Sequence, residues 1–228
     1  KEAVDQGCLI PVSSDMPAEV GTLIEPLSCC VNGMRAIPME EAEHVVIFGG
    51  GIIGVLNGLV ARARGAKYIT IVDVSSERLA LHGRLGLPFD NYVDSSTQDP
   101  VEWVMEKTGG KGADVVVVAA SVKALVAPGM KMLAHQGHLS IFAGMPKSNS
   151  VESVDLNPIH YRELNVHGAN SSSHRDYIQA RDFLESGRID GSKLVTHVFS
   201  LSDFNTAVAT QGDPASGALK VIIKPWEN

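Results

Sequence analysis

The chain has 228 residues, 44% of them apolar and 20% charged, with a formal net charge of −7 and a pI near 5.6. These are ordinary proportions for a globular chain with a sizeable core, built as one large domain or two modest ones. The acidic balance and the lack of any Lys/Arg cluster exclude a surface that tracks a phosphate backbone, so no nucleic-acid partner is expected; no apolar run reaches membrane-spanning length and no signal-peptide pattern stands at the start, which makes the cytoplasm the expected compartment.

In chain order, Lys1 stands where an initiator methionine would, and residues 7–12 (GCLIPV) read as a strand of a sheet already under way. Both features suggest a chain whose earlier part is missing. Cys8, Cys29 and Cys30 give neither an even-numbered framework nor a C-x-x-C pair. A reducing compartment fits, and Cys29 and Cys30 read as small, buried apolar residues. A helix is expected from near Glu25 to Ala36, with Pro26 in its first turn and Pro38 beyond its end.

From His44 a strand–helix beat sets in. Residues 44–49 (HVVIFG), 68–73 (YITIVD), 91–94 (NYVD), 113–120 (ADVVVVAA), 138–144 (HLSIFAG) and 164–170 (LNVHGAN) are six β-type runs. Segments able to form helices or connections follow from Gly51, Ser76, Asp99, Ser121 and about Val151. The almost continuously apolar run at 113–120 fits a parallel strand covered on both faces. Such alternation predicts a doubly wound α/β fold with a six-stranded parallel sheet in two mononucleotide-binding halves. After Gly168 the beat changes to a capped helix ending at Gly187, then a strand at 193–200, a helix at 201–210 and a strand at 218–225.

The first strand leads into Gly49, Gly51 and Gly54, a G-x-G-x-x-G turn that opens a helix. The first glycine allows the tight turn, the second lets backbone approach a pyrophosphate, and the third lets helix pack on strand. Arg62 and Arg64 suit the far end of that helix, with Gly65 just past it. Asp73 ends the second strand at about the 20-residue distance at which a carboxylate meets the ribose of NAD and repels the 2′-phosphate of NADP. A structural glycine turn with a helix-capping acid would look similar. Arg78 cuts the other way, because an arginine there can pair with a 2′-phosphate, or simply be a solvated helix residue. With Asp73 in front of it, NAD is the expected cofactor.

A dinucleotide fold does not name a reaction. Tyr-x-x-x-Lys is missing, since Val72, Ser96, Asn165 and Arg181 stand four residues after the four tyrosines. No G-x-S-x-G elbow or phosphate loop ending in Gly-Lys-Ser/Thr occurs. His135 and His138 are three apart but sit in a turn without a nearby carboxylate or cysteine, so packing or solvent-facing roles are expected for them. The same is expected for His160, His167 and His197.

Seven segments, LIEPLSCCVNGMRA, HVVIFGGGIIG, IVDVSSERL, KTGGKGADVVVVAAS, GHLSIFAGMP, RELNVHGANS and FLESGRI, stand in the order and spacing of the zinc-dependent medium-chain dehydrogenases. The chain resembles that family, and within it the sorbitol and polyol dehydrogenase branch, over nearly its whole length. The resemblance implies an alcohol–ketone oxidoreductase acting on a small alcohol or polyol, with zinc lowering the pKa of the alcohol oxygen. It implies a pyrophosphate turn at Gly49, Gly51 and Gly54, with Ile52 and Ile53 inside it, and a ribose site at Asp73 and Arg78. Ala120 and Ser121 match a ledge after the fourth strand. Phe142, Ala143 and Gly144, and Ala169, Asn170 and Ser171, match the nicotinamide-side loops. Glu25 matches an acid near the zinc, a ligand directly or through water, and is the one catalytic and metal candidate; an acid favoured by a helix N-terminus would also stand there.

The family's GroES-like barrel, with its catalytic cysteine and His-Glu pair, has no counterpart here. The resemblance therefore implies that 1–28 is the edge of that barrel, 29–169 the Rossmann NAD-binding domain and 170–228 a return segment packing on the barrel. Such a chain should be mainly the cofactor-binding part, inactive alone, with zinc held only in the intact protein. The resemblance also implies a homodimer or higher homo-oligomer joined at the sixth strand. Two other readings remain: a stand-alone NAD-binding module, and a Rossmann-type methyltransferase, which would not need the loops at 142–144 and 169–171.

Overall fold

Strand β1 (His44–Phe48) lies inside the sheet because both of its faces are apolar. Val45 and Ile47 enter one core and Val46 and Phe48 the other, as expected of a strand covered on both sides. The computed structural model describes residues 9–226. It pairs β1 in parallel with β2 (Tyr68–Asp73) on one side and β4 (Ala113–Val118) on the other. With β3 (Asn91–Asp94), β5 (Leu133–Ile141) and β6 (Asn165–Gly168) the sheet runs β3-β2-β1-β4-β5-β6, all parallel. This is the doubly wound order, which reverses direction at β1 and β4.

The crossovers cover opposite faces. Helices α1 (Ala18–Gly21) and α2 (Ile24–Gly33) precede β1, α3 (Ile52–Ala63) follows it, and α4 (Ser76–Arg84) follows β2. Residues of α2, α3 and α4 share a core with Val45, Ile47, Val115 and Val117. Helices α5 (Pro100–Lys107) and α6 (Val126–Lys131) contribute Val104 and Met130 to the other core, with Val116 and Val118. A short α7 (Asn157–Tyr161) leads into β6, and α8 (His174–Glu185) then returns to pack along α2. The chain closes with β7 (Val195–Ser200), α9 (Phe204–Gly212) and β8 (Lys220–Lys224), a two-stranded parallel sheet separate from the first.

Several boundaries differ from expectation. Gly7 and Cys8 lie outside the described residues, and 9–12 form no strand: Leu9 and Val12 are exposed, and Pro11 has no N–H to give a neighbour. Helix α2 stops at Gly33, three residues before Ala36, and 34–36 turn instead. The connection after β4 begins as a 3-10 turn over Lys123–Leu125, and its helix starts only at Val126. The segment from about Val151, expected as a helix or a connection, is mostly connection and holds only the short α7, with Pro158 in its first turn. Strand β5 begins at Leu133, five residues before His138. Ala113 pairs with Leu133 and Val115 with His138, so the intervening residues bulge out, with Gln136 at φ 60°.

Candidate functional site

The turn after β1 is fixed by backbone bonds and by the absence of side chains. Gly49 has φ 109° and donates its N–H to the Val72 carbonyl at 2.8 Å, while Ala119 donates to the Phe48 carbonyl at 2.9 Å. A Cβ on Gly54 would lie 1.7 Å from the Gly49 carbonyl oxygen, so no other residue lets α3 start against the strand end. Gly51 is the extended residue before the helix, and nothing lies within 4 Å of where its Cβ would be. At the far end, Arg62 donates to the Ala66 and Lys67 carbonyls, and Gly65 takes φ 106°.

A cavity of about 720 Å³ opens at this helix N-terminus. Gly51, Ile52, Ile53 and Gly54 form one wall, Ser76, Arg78 and Arg84 of α4 another, and residues 211–215 and 217–219 a third. First-turn N–H groups and the positive end of the helix dipole face such a space, which suits an anion.

Asp73 lies beside the cavity, its side chain only 5% exposed. Its Oδ2 accepts the Gly50 N–H at 2.6 Å, and Oδ1 accepts the Ser75 N–H at 2.9 Å. Arg78 Nη1 stands 3.2 Å from Oδ2. The side-chain cap of α4 is Ser75, whose Oγ accepts the Arg78 N–H at 3.2 Å. Sequence reading missed His82. Its ring is fully buried, with Nε2 2.8 Å from the Gly50 carbonyl oxygen. Burial holds its pKa below the usual imidazole value, against the raising effect of the Gly50 bond and Asp73.

A second cavity of about 310 Å³ gathers the other expected residues. Glu25, Pro26 and Cys29 of α2 line it together with Ile53, Phe142, Gly144 and Ala169–Ser171, so Ile53 borders both cavities. Ala143 sits between two lining residues and donates to the Val118 carbonyl at 2.9 Å. Ala120 packs against the glycine turn, 3.4 Å from a Cβ on Gly49, whereas Ser121 is exposed at the mouth of β4. Three residues on α2 were not foreseen. Asn32 donates to the Ser171 carbonyl at 2.9 Å, where Ser171 takes φ 59°. Ser28 donates to Ser172 Oγ at 2.8 Å. The Cys29 thiol lies 3.6 Å from Glu25 Oε1, and burial first, then the charge of Glu25, raises its pKa.

Glu25 and Cys29 are two donors, and among the described residues no group of three or more His, Cys, Asp or Glu could hold a metal ion. A catalytic zinc takes three protein ligands and an open position. The described residues do not fit zinc by themselves. His138 and His167 stack instead on each other, Nδ1 to Nε2 at 2.9 Å, and His135 is exposed.

Comparison with known proteins adds a family. The sequence model of a family described as zinc-binding dehydrogenase matches residues 53–186. The L-arabinitol 4-dehydrogenase of Hypocrea jecorina is 30% identical over 92% of this chain and 55% of its own length. The sorbitol dehydrogenase of Halalkalibacterium halodurans is 26% identical over 89% of this chain and 58% of its own. Among solved structures, a zinc-binding dehydrogenase from Sinorhizobium meliloti bound to NADP superposes with a TM-score of 0.84 at 26% identity, covering 95% of this chain and 62% of that one. The chain thus spans little more than half the length of these relatives.

Proposed function

This chain belongs to the zinc-binding dehydrogenase family, and from that premise we propose that it is the cofactor-binding part of an NAD-dependent alcohol or polyol dehydrogenase. The observation that carries this reading is the meeting of the two cavities at Ile53. One offers a helix N-terminus suited to a pyrophosphate; the other lies between Glu25 and the two loops expected to face a nicotinamide. A methyltransferase would use the first cavity and leave the second unexplained.

The residues divide the work. Gly49, Gly51, Ile52, Ile53 and Gly54 receive the pyrophosphate on backbone N–H groups. Asp73, beside Arg78, accepts the adenosine ribose hydroxyls with its remaining lone pairs. Ala120 and Ser121, Phe142, Ala143 and Gly144, and Ala169, Asn170 and Ser171 enclose the nicotinamide end and exclude water from it. When bound, NAD takes up the hydride released by a secondary alcohol. Glu25 is one corner of a zinc site, directly or through water, and the other ligands belong to the length of the relatives that this chain does not match. Residues 1–28 and 170–228 are the segments that adjoin that part, and 29–169 is the dinucleotide-binding domain.

The substrates are small alcohols or polyols, two copies of the chain join through β6, and the compartment is the cytoplasm. Among the described residues no helix is long and apolar enough to cross a membrane. The cysteines described, Cys29 and Cys30, are free thiols, which fits a reducing environment. Calorimetric titration of the 228-residue chain with NADH and with adenosylmethionine tests the reading, followed by metal analysis and absorbance assays on sorbitol. NADH binding with substoichiometric zinc and no turnover is expected; adenosylmethionine binding alone, or stoichiometric zinc with turnover, would overturn it.

A further inference from the structure

We propose that His82 is a positioning residue for the cofactor: by holding the Gly50 carbonyl it turns the Gly51 N–H toward the cavity at the start of α3. The proposal rests on the dinucleotide reading of that cavity. Three consecutive glycines, Gly49 to Gly51, make the tightest part of the turn. Glycine peptides have the widest conformational freedom of any, so a run of them reorients readily unless something outside the run holds it.

Gly50 is held at both its polar groups. Its N–H goes to Asp73 Oδ2 at 2.6 Å, and its carbonyl meets His82 Nε2 at 2.8 Å. A carbonyl only accepts, so Nε2 carries the proton and the ring is the Nε2–H tautomer. Every peptide bond described is trans. In a trans peptide the C=O of one residue and the N–H of the next point in opposite directions. Drawing the Gly50 oxygen inward to the buried imidazole therefore sends the Gly51 N–H outward, and Gly51 lines the cavity. A flip of this peptide would withdraw that donor and present a carbonyl oxygen to an anionic ligand.

The alternative, that His82 merely fills the core, is disfavoured by its other nitrogen. Nδ1 is buried with no hydrogen-bond partner. A leucine would fill the space without leaving a buried polar atom unpaired. The ring is also steadied from the side, with Phe89 edge-on at 6.0 Å and Tyr92 tilted at 5.8 Å. Burial lowers the imidazole's pKa, which favours the neutral ring with its single donor aimed at Gly50.

The test compares the 228-residue chain with His82→Leu and His82→Gln, whose carboxamide N–H can reach the same carbonyl. Each is titrated with NADH while the Gly51 amide is followed by NMR, and thermal melting reports folding. The leucine variant should bind NADH roughly tenfold more weakly or worse, and its Gly51 amide should lose most of its NADH-induced shift. The glutamine variant should recover both within about threefold. Equal affinity and an equal Gly51 shift in the leucine variant would overturn the role of His82 alone. A parent that does not bind NADH would overturn the dinucleotide reading and this proposal with it. Should the leucine variant fail to fold, the imidazole ¹⁵N spectrum of the parent decides: Nε2–H supports the proposal and Nδ1–H overturns it.

Discussion

Asp73 holds the turn with its carboxylate, and in the proposed reading the same carboxylate meets the ribose of the cofactor. Two of its lone pairs are committed to the Gly50 and Ser75 N–H groups, so replacing it weakens the turn as well as the ribose contact. The ratio of affinities isolates selectivity from that shared loss. The parent should prefer NADH to NADPH by about tenfold or more, because a 2′-phosphate meets the carboxylate and forfeits its hydrogen bonds. Asp73→Ser should narrow the ratio while lowering both affinities, because Arg78 is then free to pair with the phosphate. Titrating both cofactors into both proteins checks this; equal affinities in the parent would contradict it. Gly49, Gly51, Gly54 and Asp73 were legible in the sequence because their spacing along one strand–turn–helix–strand unit is itself the signal. His82 was not, since its bond to Gly50 spans 32 residues and leaves no local pattern. Asn32, which meets Ser171 across 139 residues, was hidden for the same reason.

Helix α8 shows how an element is seated by its ends. Ser173 and Asp176 form a capping box at its start, and Arg35, just past the end of α2, pairs with Asp176 and donates to Ser173 Oγ at 3.2 Å. These bonds hold the Asp176 carboxyl below its usual pKa although burial alone would raise it. Asp176→Ala should lower the unfolding free energy by about 2 kcal/mol in urea titrations, combining a lost cap with a lost charge-assisted bond. A change below ~0.5 kcal/mol would mean that the cap contributes nothing measurable. The capped helical pattern that ends at Gly187 made α8 readable in advance. The excursion inside β5 was not, because Leu133 pairs with Ala113 from a different strand. Across β5 and β6, His138 and His167 stack, and burial lowers both pKa values, as it does for His82. In the unfolded chain these rings titrate near ~6.5, whereas in the fold they resist the proton until lower pH. Stability from this source is present above ~6.5 and drains away as pH falls through the folded-state values. The melting temperature should therefore drop between about pH 7.5 and 5.5, and less so in His138→Asn/His167→Asn. A flat parent profile would contradict it.

At the scale of the whole molecule, the sheet ends in two edge strands, β3 and β6, and the four residues of β6 include the half-exposed Val166. Unpaired backbone groups there invite an equivalent strand, and a two-fold pairing would continue the sheet into a second copy. Light scattering at about 50 µM should give twice the monomer mass, and Val166→Pro, which removes one ladder donor, should shift it toward monomer. A monomeric parent would count against the edge as an interface. The sheet order was readable because strand–helix alternation leaves few chain paths, but subunit pairing depends on a surface that periodicity does not describe. The closing pair β7–β8 has a further consequence, in time rather than space. Its strands hold one buried residue between them, against four in β1 and five in β4, and a two-stranded ribbon is marginal without a larger sheet to join. Such a ribbon is expected to open on its own while the rest of the molecule stays closed. In heavy water, amides at 195–200 and 220–224 should take up deuterium at least about tenfold sooner than those at 44–48 and 113–118, which wait for the molecule to open as a whole.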